Sequence, residues 1–80
     1  MKIVLELLRL GFEIGGKCIA FDNQTWSKTG DIGDNSQFYI EATIIDVKYD
    51  KQNRICVDVK FDDGRISTGH FLDCINKINN

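Results

Sequence analysis

Proline is absent from this 80-residue chain, which excludes polyproline character. Histidine and tryptophan occur once each, and cysteine three times, at Cys18, Cys56 and Cys74. An odd cysteine count supplies no framework of the kind that staples small secreted domains. All three are therefore expected to be small buried hydrophobes in a reduced, cytoplasmic setting. No run approaches the ~20 apolar residues that a membrane span needs. The apolar start, MKIVLELLRLGF, is interrupted by Glu6 and Arg9 and leads to no small-residue cleavage site, which argues against a signal peptide. There is also no block of one charge. Ten Lys and Arg are interspersed with twelve Asp and Glu for a net charge of -2, so nucleic acid is not the favoured partner.

What the chain does contain suits one small globular domain: 42% apolar and 28% charged residues, at a length near the lower limit for an independent core. Eleven isoleucines without a proline hint at a bacterial or phage source. Residues 1–12 fit a helix or a strand by periodicity. Their leucine-rich composition favours a short helix, with Gly11 as its left-handed C-terminal residue and Phe12 folding back. This segment either covers the core as a lid or makes a homodimer contact.

Further along, KCIAF is a strand from Lys17 to Phe21. Asp22 to Gln37 is a polar stretch of about sixteen residues, read as a functional or mobile loop that holds Trp26. FYIEATIIDVKY, Phe38 to Tyr49, is a long strand. Its apolar phase shifts from Ala42 and Ile44 to Ile45, Val47 and Tyr49, which predicts a bulge near Ile44–Asp46. DKQN is a turn. RICVDVKF alternates, with Ile55, Val57, Val59 and Phe61 inward and Arg54, Cys56, Asp58 and Lys60 outward. DDGR is a tight turn with Gly64 at positive φ, ISTGH a short strand, FLDC one helical turn, and INKI a last strand. The pattern is mainly β, a small bent antiparallel barrel of five strands.

The segments GKCIAF, YIEATIIDV, VDVKFDDGR and LDCINKI resemble a Tudor domain, a Src homology 3-like barrel, over Gly16 to Ile78. The resemblance implies a five-stranded barrel with one helical turn before its last strand. Methyl-reading Tudor domains hold a methylated cation between aromatic faces. The corresponding places here are Asp22, Ile40 (beside Tyr39), Lys60, Asp63 and Arg65. A lysine where an aromatic wall belongs repels a cation, so the fold is expected to carry over and methyl reading is not.

Catalytic and metal chemistry find little purchase. His70 is the single imidazole, and Ser67, Cys56 and Asp73 stand in no nucleophile motif near it. Cys18, Cys56, Cys74 and His70 lack the paired short spacing of structural zinc sites. Gly15 and Gly16 are not followed by a phosphate-binding helix start, and GDIGDN lacks the closing glutamate of a calcium loop. Type II dihydrofolate reductases are similar in size and barrel type, but RIST stands where that family has its active-site run. No catalytic residue, metal or cofactor is therefore expected.

The residues that fit recognition are Trp26, Phe38 and Tyr39, of the types that dominate binding hot spots. Trp26 either offers a surface or caps an undersized core. Asp62 and Asp63, with Asp58, form an acidic hairpin tip suited to a cationic group, or a solvated turn. The expected function is a non-catalytic module for a protein or peptide partner. A nucleic-acid-associated barrel and a small oligomeric enzyme are the alternatives.

Overall fold

The computed structural model describes residues 2–29 and 36–78; the GDIGDN stretch, 30–35, lies outside them. It contains five antiparallel strands and two helices. Helix α1 spans Lys2–Arg9, strand β1 Lys17–Phe21, helix α2 Asn23–Thr29, and strand β2 Tyr39–Tyr49. Strands β3, β4 and β5 follow at Ile55–Phe61, Ile66–Phe71 and Asn76–Lys77, with 3-10 turns at Ser36–Phe38 and Leu72–Cys74.

Helix α1 ends as its sequence requires. Gly11, at φ +92°, lets the Phe12 N–H donate to the Leu7 carbonyl at 3.1 Å and the Gly11 N–H to that of Leu8 at 2.9 Å. Leu7 is fully buried and Phe12 packs against the same cluster, so the helix is pinned by one turn of its inner face. The Tyr49 hydroxyl donates to Glu6 at 2.7 Å, tying α1 to the end of β2. Leu5, Leu8 and Leu10 remain exposed.

The strands run in the order β4-β3-β2-β1-β5. Among the described residues β4 and β5 do not pair, so the sheet is open where the sequence implied a closed barrel. Its inner face carries Cys18, Ala20, Ala42, Ile44, Val57, Val59 and Phe61, joined by Leu7 and Ile75. The register of β2 against β3 slips between Ile44 and Asp46, as the phase of apolar residues predicts. Ala42 and Ile44 are buried before the slip and Val47 is half-buried after it, while Ile45 is turned out.

A second slip lies between Val57 and Val59, where Thr68 and Gly69 of β4 together face Asp58. Gly69 adopts φ +75°, and its N–H donates to the Asp58 carboxylate at 3.1 Å. The bulge has a geometric consequence. Residues three apart on a regular strand point to opposite faces, but here Ser67 lies opposite Val59 and His70 opposite Val57, both core-facing. Ser67 and His70 are thereby brought to one face.

Two sequence expectations, the Asp22–Gln37 loop and the burial of Cys74, are corrected, while Cys56 is both outward-facing and buried as expected. The supposed loop from Asp22 to Gln37 contains α2 and a 3-10 turn, because Asp22 caps the helix: its carboxylate accepts the Thr25 N–H at 3.1 Å and the Thr25 hydroxyl at 2.7 Å. Cys56 points outward yet is only 3% exposed, because Phe71 lies opposite it and the Arg54 guanidinium sits 4.2 Å from that ring. Cys74 is exposed, whereas Cys18 and Cys56 are buried. Burial pushes both buried thiols up in pKa and keeps them protonated. No helix among the described residues is long and apolar enough to cross a membrane.

Candidate functional site

Phe21 and Tyr39 face each other where β1 ends and β2 begins, their rings 5.1 Å apart at 63°. The Asp22 N–H donates to the Phe38 carbonyl at 2.7 Å, which closes the chain around this corner. It sets Phe38 6.1 Å from Phe21, and α2 sets Trp26 at the same distance. The sequence-selected Trp26, Phe38 and Tyr39 thus meet through a fourth ring, Phe21, which sequence reasoning missed. Its signal was position: an aromatic ending the first strand, just before the polar stretch.

The four rings differ in exposure. Phe38 is buried, Phe21 and Trp26 are half-buried, and Tyr39 is 45% exposed. The Trp26 indole N–H is buried and has no hydrogen-bond partner among the described residues. Trp26 packs behind Phe21 and lines neither groove described below. Trp26→Ala is accordingly expected to cost about 1–2 kcal/mol, below the range for a fully buried ring. Trp26→Phe should be close to neutral, since it removes an unsatisfied donor along with part of the ring. Thermal unfolding followed by circular dichroism measures both, and an unchanged midpoint for Trp26→Ala would disprove the packing role.

In front of Phe21 and Tyr39 lies a groove of about 360 Å³, bounded across from them by β4 residues Ser67 to Phe71 and by Asn23 and Cys74. The Ser67 Oγ and His70 Nε2 are 2.7 Å apart in its wall. Burial lowers the His70 pKa, with Asp58 opposing, so the imidazole is neutral at neutral pH. A second groove, about 460 Å³, continues past the shared residues Phe71 and Cys74 and is lined by Leu10, Arg54, Ile55, Leu72 and Asp73.

The Ser67–His70 contact is one that a general base and nucleophile would need. A working triad also needs a group that orients the base. The Asp58 oxygens instead accept from the Gly69 N–H and the Lys48 ammonium. The pair forms a hydrogen bond within the groove wall. Among the described residues no three His, Cys, Asp or Glu side chains gather to hold a metal.

Asp62 and Asp63 stand apart from the aromatic corner. Asp62 pairs with Lys17 at 3.2 Å, and Asp63 accepts the Arg65 Nε at 2.7 Å together with the Arg65 backbone N–H. Those bonds hold the Asp63 carboxyl below its ordinary range. Arg65 also reaches across to Asp22, its two terminal nitrogens donating to the two carboxylate oxygens at 2.9 and 2.8 Å. Asp22 is only 3% exposed. The fork of Arg65, then burial in opposition, then the Thr25 bonds bring its pKa down to about 2. Three of the positions that the Tudor resemblance would give to a cage, Asp22, Asp63 and Arg65, are thus joined in one ion-pair network. No protein-family model, curated protein or solved structure matches the chain.

Proposed function

We propose that this chain is a small β-barrel of the Src homology 3-like, Tudor-like kind, working in the cytoplasm as a non-catalytic module that takes a protein or peptide partner into the groove in front of Phe21 and Tyr39. The strand order and the 3-10 turn before β5 support the barrel reading. One observation supports the binding reading above the others: the groove joins three aromatic rings, Phe21, Tyr39 and Phe71, to Asn23, Ser67, Thr68 and neutral His70, with no formal charge in its wall. That chemistry suits uncharged polypeptide, which offers apolar side chains and amide hydrogen bonds together. A methylated cation finds no aromatic cage at Asp22, Asp63 and Arg65, whose charges satisfy one another.

Tyr39 is the residue to test, because it is exposed and its removal leaves the core intact. Tyr39→Ala is expected to cost about 0.5–1.5 kcal/mol of stability, the worth of its edge-on contact with Phe21, and to leave the protein folded. In affinity capture from the native host, the same variant should lose the proteins that the parent retains. Capture that is indifferent to Tyr39→Ala, or retention only of nucleic acid that is released by salt, would refute the proposal.

A further inference from the structure

We propose that the partner docks by strand addition: an extended, uncharged segment of polypeptide pairs with the free edge of β4, its alternate side chains entering the groove walled by Phe21 and Tyr39. This rests on the reading of that groove as a binding site, and it adds the mode of recognition and the class of ligand. The lining carries the first argument. A groove over one face of a strand is lined by alternate residues, because side chains alternate across the pleat. This one is lined from both faces of the bulged strand, by Ser67 and His70, which lie opposite the inward Val59 and Val57, and by Phe71, which lies opposite the outward Cys56. It therefore lies along the edge of β4.

Among the described residues that edge is unpaired. Strand β4 ends the sheet there and bonds to β3. On its other side, the one backbone group with a partner among the described residues is the Ile66 carbonyl, which accepts from Gln24 Nε2 at 3.2 Å. Natural edge strands are commonly blocked by charged side chains or proline, which exclude a further strand. ISTGHF has neither, and burial keeps its histidine neutral. The bulge at Thr68–Gly69 does not block it either, since the additional N–H is turned back to Asp58.

Peptide chemistry follows from these walls. A polypeptide backbone is the ligand whose donors and acceptors match the spacing of a bare strand edge. The absence of charge in the wall selects against Asp, Glu, Lys and Arg at the inward positions, where a buried charge would be unpaired. Rings and β-branched side chains suit the faces of Phe21 and Tyr39.

The test uses a pool of capped hexapeptides with Val, Ile, Phe or Tyr at alternate positions and Ser or Thr between them. The control pool carries the same side chains with alternate backbone nitrogens methylated, which removes strand donors and leaves the side chains. Amide hydrogen exchange on the whole chain is the readout. The unmethylated pool is expected to slow exchange within Ser67–Phe71 by about tenfold or more, and the methylated pool to leave it unchanged. Equal effects from both pools would overturn strand addition while leaving the groove as a side-chain site. No effect from either would overturn both readings. Protection of β4 in the free protein that grows with protein concentration would assign the edge to a second copy of this chain instead.

Discussion

Asp22→Ala is expected to destabilise the protein by about 3 kcal/mol, lowering the melting temperature by roughly 10–20 °C for a domain of this size. Two losses combine. The depression of the carboxyl pKa from 3.8 to about 2 corresponds to about 2 kcal/mol of stability at neutral pH. The lost helix cap contributes about 1 kcal/mol more. Asp22→Asn separates them, because asparagine still caps α2 but no longer carries the charge that Arg65 grips. It should therefore fall between the parent and Asp22→Ala. Arg65→Lys keeps a charge but not the fork, and is expected to lose stability in the same direction.

The acid limb of the stability curve carries the same signature. A carboxyl whose folded pKa lies below its unfolded value stabilises the fold above the unfolded value, and that contribution is lost as pH falls through the folded one. For Asp22 the window runs from about pH 4 down to about 2, and Asp50 and Asp63 shift in the same direction. The parent should lose stability steeply there, and Asp22→Asn should show a shallower limb. Parallel acid limbs in the two proteins would refute the assignment.

Phe61→Ala is expected to cost about 4 kcal/mol, the largest effect of any single replacement considered for this fold. Phe61 is the largest of the fully buried side chains and stands at the end of β3, inside the core cluster. Its ring also carries the Arg65 guanidinium at 5.1 Å, so the replacement removes core volume and a platform for the ion-pair network together. Domains of this length have a total stability of roughly 4–12 kcal/mol, so the replacement should remove about a third or more of it. Phe61→Leu retains much of the volume and should cost about 1–1.5 kcal/mol. Because Asp22 and Phe61 share Arg65, the double replacement should cost less than the two single ones added. Urea unfolding of the four proteins measures this, and strict additivity would separate the ring from the network.

Much of the sheet was legible because burial on one face writes itself as period two. Val57, Val59 and Phe61 fall inward as their alternation demands, and the slip at Ile44–Asp46 appears in the sequence as a change of phase. Helix α2 was not legible in this way. NQTWSKT has no apolar stripe, and its start depends on an aspartate whose charge is held by an arginine 43 positions away. The burial of Cys56 likewise depends on Phe71 and Arg54 lying over it.

The candidate site was half visible for the same reason. Aromatic composition pointed to Trp26, Phe38 and Tyr39, but the ring at their centre, Phe21, is identified by strand register. The groove they help to form needs β4, whose bulge is hidden among Thr68 and Gly69, residues with no apolar phase to shift. Asp62 and Asp63 look like a free acidic tip in one dimension. In three, Lys17 and Arg65 occupy them.

The short pairing of β1 with β5 bears on the order in which the chain assembles. Strands β2, β3 and β4 are joined by tight turns, so their contacts close over few residues. The β1–β5 contact joins Cys18 to Lys77 and Ile19 to Asn76, positions about sixty residues apart, so among the described residues two pairs must offset the chain-closure entropy. The three-stranded meander is therefore expected to form first and the junction of β1 with β5 to close last, an order that φ-value measurements on the two regions would check. In native fluctuations that junction is also expected to part first, which amide exchange at Cys18 and Ile19 would read.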